Sequence, residues 1–204
     1  MIKYLFVILI SYLVGSSSMS FYLVKLTKTE LRDKGSKNLG ASNAMMVMGW
    51  KYGILVAVHD IGKAFLVVLL ATHLFPNLPY IGFAAGVASV LGHIFPFYLK
   101  FKGGKGFASY IGMTLALNWK FALILMVLVL IVTLVTDYIV IGTTLTVITV
   151  PIYYAITTLN WIIPAILCVA TFVILYKHRP NYVRIINGTE MRLRNAHRGE
   201  YRKR

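Results

Sequence analysis

The chain has 204 residues, of which 58% are hydrophobic and only 13% are charged, so it is far more apolar than an ordinary soluble domain. Its 21 Lys and Arg outnumber its 6 Asp and Glu, which gives a net charge of +15. That charge would suggest nucleic acid in a soluble protein, but basic residues also flank membrane spans and attract lipid head groups. A single cysteine, Cys168, excludes a disulfide framework and a cysteine metal site. We therefore expect a membrane protein that contacts lipids and no nucleic acid.

Seven apolar runs predict the membrane spans, since each crossing takes about 20 apolar residues. In chain order they cover residues 2–24, 52–74, 80–99, 107–118, 121–136, 138–157 and 161–176. The first run is too long for a signal peptide, so we interpret it as a retained span. The fourth reaches only about 18 Å at 1.5 Å per residue, so a short buried or re-entrant helix is an alternative there.

The distribution of Lys and Arg predicts how the chain is oriented. Six basic residues fall in segment 25–51, three in 100–106 and nine in 177–204, whereas the connections 75–79 and 157–160 have none. The positive-inside bias places the three basic segments in the cytoplasm. This requires an odd number of crossings. We predict one all-α membrane domain, residues 1–204, with seven spans, the N-terminus outside and the C-terminus cytoplasmic; five spans fit if short runs fuse.

The first cytoplasmic segment, 25–51, combines an arginine with small and polar residues. They are Arg32, Gly35, Ser36, Asn38, Gly40, Ser42 and Asn43. Arginine can hold a phosphate with two parallel hydrogen bonds, and hydroxyl and amide groups add further donors, so the segment predicts an oxyanion or polyol site. The same composition is also typical of any loop, and this alternative stays open.

Ionisable residues within the second and third runs indicate buried polar contacts. Asp60 and Lys63 are three residues apart and share one face of a helix, which predicts a neutralising buried pair beside His59. His93 lies near one end of the third run. It is either a proton carrier or a hydrogen-bonded core histidine.

The sequence Gly103-Gly104-Lys105-Gly106 precedes the fourth apolar run and predicts a phosphate cradle. Glycines let backbone N–H groups turn towards one anion, the start of a helix adds positive potential, and Lys105 adds a full charge. The spacing does not match the nucleotide P-loop. A flexible turn with a cytoplasmic lysine is the alternative.

Polar residues with possible catalytic roles follow the last span. His178 could act as a general base or orient a substrate, with an interfacial anchor as the alternative. Asn181 and Arg184 lie close behind it, and we expect Glu190 to brace the arginines. No serine nucleophile with His and Asp partners and no metal-binding spacing is evident, so we expect no metal or cofactor. The predicted chemistry depends on positioning and charge.

Taken together, these segments resemble the three signature motifs of the bacterial acyl-phosphate-dependent glycerol-3-phosphate acyltransferases, the PlsY family. The residues that carry the resemblance are Gly15-Ser16, Arg32, Gly35-Ser36, Asn38 and Gly40 to Asn43; Gly92-His93, Pro96 and Phe101 to Gly106; and His178, Asn181, Arg184, Gly188 and Glu190. Asp60 with Lys63 matches a pair usual in the family's second span. The departures are Glu30 for Asp, Lys37 for Gly, Met46 for Arg, and Ser42 and Ser109 for Thr. The missing arginine leaves open a divergent paralogue.

The resemblance implies transfer of a fatty acyl group from acyl phosphate to the sn-1 hydroxyl of glycerol 3-phosphate, at the cytoplasmic face of a bacterial cell membrane. It implies that Ser36 and Asn43 orient the acceptor, while Arg32, Lys105 and the amides of Gly103 to Gly106 hold phosphate. His178 and Asn181 would complete the pocket. Either His178 or the donor's phosphate would take the hydroxyl proton, and an enzyme that makes acyl phosphate would be an upstream partner.

A small transporter or channel for an organic anion is the rival from another class. Its basic loops would only attract the solute, and its polar residues should continue across the membrane. In this sequence the polar residues gather on one face, apart from His59, Asp60 and Lys63.

Overall fold

The computed structural model describes residues 1–194, and every regular element in that range is helical. The α-helices are α1 (Ile2–Ser16), α2 (Met19–Thr27), α3 (Ala41–Met48), α4 (Trp50–Leu74), α5 (Ile81–Ile94), α6 (Phe107–Leu117), α7 (Trp119–Thr136), α8 (Ile139–Thr158) and α9 (Ile162–Ile186). A 3₁₀ turn, Phe97–Leu99, follows α5. Residues 195–204 of the predicted cytoplasmic tail lie outside the described range.

Six helical stretches of the described chain are long and apolar enough to cross a membrane. They are Ile2–Thr27, Trp50–Leu74, Ile81–Leu99, Trp119–Thr136, Ile139–Thr158 and Ile162–Ile186. The predicted all-α membrane class is confirmed. Helix α6 has only 11 residues, or about 16 Å, and its middle is buried against α4 and α5. That burial favours the alternative of a short buried helix, while the number of crossings and the orientation stay predictions.

Helix boundaries depart from the apolar runs in three places, and in the third run α5 ends at Ile94, before the 3₁₀ turn at Phe97–Leu99. The first run is interrupted at Ser17 and Ser18, where the Ser18 hydroxyl caps α2 by accepting the N–H of Phe21 at 3.3 Å. The last helix continues ten residues past the predicted end at residue 176, with Pro180 in its interior. Hydropathy marks where a helix leaves an apolar environment, and the backbone hydrogen bonds continue beyond that point. His178, Asn181 and Arg184 are therefore on a helix, rather than in a tail as predicted.

Contacts divide the chain into two compact units, one of Met1–Trp119 and one that begins at Lys120. The single domain expected from the sequence stays a prediction.

In the first unit, α1 packs along α5, and α4 packs against α3, α5 and α6. Gly15 faces the backbone of Ser89, and Gly92 faces the backbone of Tyr12, so the backbones of α1 and α5 approach each other directly. This packing fixes the C-terminal ends of both helices, where the predicted motifs begin.

In the second unit, α8 packs against α9. The Thr171 hydroxyl donates to the Val147 carbonyl at 2.9 Å, and the hydroxyls of Thr144 and Tyr182 are 2.7 Å apart. These bonds tie the two helices together along their length. They hold the part of α9 from which the third motif projects.

Candidate active site

The first motif is organised around the side chain of Asn43 on α3. This side chain is fully buried; its Oδ1 accepts the Ser36 N–H at 2.7 Å, and its Nδ2 donates to the carbonyls of Leu31 (2.8 Å) and Asn38 (2.7 Å). All three partners belong to the backbone of the preceding segment. Asn43 therefore shapes the segment, and its expected contact with an acceptor molecule stays a prediction.

Apolar packing also holds the segment that precedes α3. Leu31 and Leu39 are buried with Leu23, Val56 and Leu99, and the Ser20 hydroxyl donates to the Leu39 carbonyl at 2.7 Å. With these residues turned inward, Arg32, Ser36 and Asn38 are half-buried and Ser42 is exposed at the start of α3. Met46, which stands where the family usually has arginine, is half-buried further along α3.

Arg32 joins the first motif to the second. Its side-chain Nη2 donates to the carbonyl of Lys102 at 2.5 Å, across 70 residues of sequence. Its backbone N–H donates to the Glu30 carboxylate at 3.1 Å. A guanidinium has five N–H donors, so the bond to Lys102 leaves others that can face an anion. The structure therefore brings the first two predicted segments together.

The glycine loop, Gly103 to Gly106, is attached to the end of α5 by its backbone. The N–H of Gly103 donates to the Ile94 carbonyl at 3.0 Å, and the N–H of Gly104 donates to the His93 carbonyl at 3.2 Å. These two amides are engaged within the protein, which favours a structural role for them, and the expectation that they hold phosphate stays a prediction.

The remaining part of the predicted cradle lies at the start of α6. Gly106 adopts φ +95° and precedes the helix, and its carbonyl accepts the N–H of Tyr110 at 2.9 Å. The N–H groups of Phe107 to Ser109 come before this first intrahelical bond. Together with the half-buried Lys105 they offer positive potential to an anion. Fewer backbone N–H groups can therefore face an anion than the sequence indicated.

A buried ionic cluster, formed by Asp60, Lys63 and His93, lies next to the glycine loop. Lys63 Nζ is 3.0 Å from Asp60 Oδ1, and both side chains are almost fully buried, which confirms the predicted pair. His93 is buried with its Nδ1 3.0 Å from Lys63 Nζ, which favours the hydrogen-bonded core histidine over a proton carrier. His59 lies between the Ser17 hydroxyl (3.2 Å) and Asp60 (3.4 Å).

The third motif is held by contacts within the second unit. His178 is buried, and its Nδ1 is 2.8 Å from the Ile174 carbonyl. A carbonyl only accepts, so Nδ1 carries the proton and Nε2 is the basic nitrogen of the neutral ring. The Glu190 carboxylate accepts Asn181 Nδ2 and Arg184 Nε, each at 2.6 Å. Glu190 therefore braces Arg184, as predicted, and also fixes Asn181.

Sequence reasoning missed the structural roles of Ser17 and Ser20. The Ser17 carbonyl accepts Lys63 Nζ at 2.6 Å, and Ser20 supports the first motif through Leu39. The available signal was a group of four serines inside an otherwise apolar run, at positions 16, 17, 18 and 20. Their partners could not be assigned because those partners are distant in sequence.

Comparisons with known proteins identify the family of the chain. A family model described as glycerol-3-phosphate acyltransferase matches residues 5–188. The chain is 36% identical to glycerol-3-phosphate acyltransferase 1 of Oceanobacillus iheyensis, over 93% of this chain and 95% of that protein. It is 38% identical to the glycerol-3-phosphate acyltransferase of Anaplasma marginale, over 90% and 91%.

Two solved structures resemble the fold. The crystal structure of PlsY, an integral membrane glycerol 3-phosphate acyltransferase, in its glycerol 3-phosphate form has a TM-score of 0.87 and 32% identity, over 93% of this chain and 95% of that one. The lysophosphatidic acid form of PlsY has a TM-score of 0.84 and 31% identity, over 93% and 94%.

Proposed function

Because the chain belongs to the glycerol-3-phosphate acyltransferase family, we propose that this membrane acyltransferase moves a fatty acyl group from acyl phosphate to the sn-1 hydroxyl of glycerol 3-phosphate. The products are lysophosphatidic acid and inorganic phosphate, and the site is the cytoplasmic face of a bacterial cell membrane. The solved relatives support the acceptor and the product, since their structures are the glycerol 3-phosphate and lysophosphatidic acid forms. The rival transporter has no such support.

One observation carries the proposal: the bond from Arg32 to the Lys102 carbonyl. It places the arginine segment beside the glycine loop, so that two basic anion-binding elements adjoin. A reaction between acyl phosphate and glycerol 3-phosphate needs both phosphates close together despite their repulsion, and neighbouring cations offset that repulsion. We assign Arg32 and Ser36 to the acceptor, and Lys105 with the start of α6 to the donor phosphate.

The reaction follows from the chemistry of the donor. The glycerol hydroxyl oxygen attacks the acyl carbon, the new ester C–O bond forms, and the bond from that carbon to the phosphate oxygen breaks. The hydroxyl proton passes to His178 Nε2 or to the departing phosphate. Because acyl phosphate is already activated, alignment and charge stabilisation can supply much of the rate without a covalent enzyme intermediate. A His178→Ala variant with near-normal turnover would exclude the histidine as the base.

The donor and the regiochemistry are tested together with purified protein, palmitoyl phosphate and labelled glycerol 3-phosphate. We expect 1-acyl product without acyl-CoA or acyl carrier protein. Lys105→Ala should reduce turnover by at least about 100-fold, because an electrostatic contact to the departing phosphate is lost. Lys100→Ala removes an exposed lysine from the same segment and should change little. Product that forms only with acyl-CoA would refute the proposed donor.

A further inference from the structure

The buried ionic cluster of Asp60, Lys63 and His93 contacts the backbone of the glycine loop. The three residues are 2%, 6% and 7% exposed, respectively, and they lie within apolar helices. Ionisable groups are costly in such surroundings and are retained where they have a function. The reaction described above does not use any of them as a reacting group.

The hydrogen bonds of Lys63 define a single arrangement of the cluster. An ammonium has three N–H donors, and Nζ has three acceptors around it: the Ser17 carbonyl at 2.6 Å, Asp60 Oδ1 at 3.0 Å and His93 Nδ1 at 3.0 Å. His93 Nδ1 also lies 3.4 Å from Asp60 Oδ1, but Lys63 Nζ is nearer and an ammonium only donates, so we assign Nδ1 as the acceptor and place the proton of the neutral ring on Nε2. The orientation of the His93 ring is therefore set by Lys63.

His93 in turn touches the glycine loop twice. Its carbonyl accepts the N–H of Gly104 at 3.2 Å, and its ring edge lies directly against Gly104, so that a Cβ on this glycine would overlap Nε2. The Ser109 hydroxyl donates to the Asp60 carbonyl at 3.1 Å, which ties the first turn of α6 to the same cluster. The residue before Lys105, Gly104, and the helix after it, α6, are thus both linked to the cluster.

We propose that Asp60, Lys63 and His93 form a positioning cluster that fixes the glycine loop and the start of α6 in the geometry that binds the donor phosphate. The cluster acts through the loop and does not touch the reacting atoms. Its main effect is on the affinity for acyl phosphate, because it contacts the glycine loop directly, whereas Asn43 organises the acceptor segment and the Arg32–Lys102 bond links that segment to the exposed residue before Gly103. This inference depends on the proposed function.

A matched pair of substitutions at His93 tests the proposal. Asparagine places an oxygen where Nδ1 accepts from Lys63, whereas glutamine reaches towards the Nε2 position and leaves Lys63 without this acceptor. His93→Gln should raise the KM for palmitoyl phosphate about tenfold or more, since a hydrogen bond to a charged group is lost, with the KM for glycerol 3-phosphate changed less than about twofold. His93→Asn should keep both constants within about threefold of wild type.

The controls separate this effect from general damage. KM does not depend on the fraction of enzyme that is folded, so partial unfolding does not imitate the predicted split. The exposed His73 lies in the same helix as Asp60 and Lys63, and His73→Asn and His73→Gln should leave both KM values unchanged. Equal rises in the two KM values at His93→Gln, or a fall in kcat alone, would overturn the proposal.

If His93→Gln does not fold, a double-mutant cycle between Gly104 and His93 tests the positioning role instead. Gly104→Ala should raise the KM for palmitoyl phosphate because the new Cβ meets the His93 ring. Asparagine at position 93 lacks Nε2 and Cε1, the two atoms nearest to that Cβ, so Gly104→Ala combined with His93→Asn should recover about fivefold or more of that loss. Additive effects of the two changes would refute a positioning role for the ring. If wild type does not use palmitoyl phosphate at all, the proposed donor fails, and the cycle is then measured on binding of inorganic phosphate.

Discussion

At the scale of single residues, the side chain of Asn43 is the organiser of the first motif. Asn43→Asp retains an acceptor for the Ser36 N–H but replaces the amide donor with an oxygen that faces the carbonyls of Leu31 and Asn38. Two buried carbonyls lose their partner, at a cost of about 1–3 kcal/mol each. We expect a lower melting temperature in detergent and at least a tenfold loss of turnover. Asn77→Asp, at an exposed position, is the control, and a fully stable Asn43→Asp would contradict the assigned role.

Lys37 departs from the glycine usual at its position in the family, and the structure shows the consequence. Its φ of +55° lies in the left-handed region, which costs an L-residue roughly 1 kcal/mol. Lys37→Gly should therefore keep activity and hold or slightly raise the melting temperature. Gly35→Ala should lower both, because Gly35 has φ +59° and a Cβ there would meet Asn43 Oδ1. Equal melting temperatures for the two variants would argue against strain at these positions.

At the scale of helices, close packing of α1 on α5 positions the end of α5 and the loop bonded to it. A Cβ on Gly92 would meet only backbone atoms of α1, around Tyr12 and Ser16, and these cannot move without separating the helices. We expect Gly92→Ala to destabilise the protein by about 1–3 kcal/mol, as overpacking does. Gly62→Ala on α4 is the matched control, since a Cβ there meets nothing within 4 Å. Thermal unfolding in detergent measures both, and similar melting temperatures would contradict this packing.

At the scale of the whole molecule, the distribution of basic residues predicts an outside N-terminus and cytoplasmic loops. Cys168 is replaced first, and single cysteines are then introduced at the exposed positions Lys34, Lys102 and Asn77. Cysteines at 34 and 102 should react with an impermeant maleimide only after the cells are opened, whereas a cysteine at 77 should react in intact cells. Labelling of 34 and 102 from opposite sides would contradict both the topology and the assembly of the first two motifs.

The membrane class, the chain positions of the three motifs and the Asp60–Lys63 pair were all predictable before the structure was known. The membrane class follows from composition, the pair from the helical repeat, and the motif positions from local sequence and its resemblance to the PlsY family; all three are local properties of the chain. The hydrogen-bond partners of the polar groups were not predictable in this way: Asn43 and the amides of Gly103 and Gly104 bond within the protein, and Arg32 bonds to the Lys102 carbonyl. The physical reason is that a hydrogen bond depends on distance and direction between atoms. Partners such as Lys63 and His93, 30 residues apart, are brought together only by helix packing.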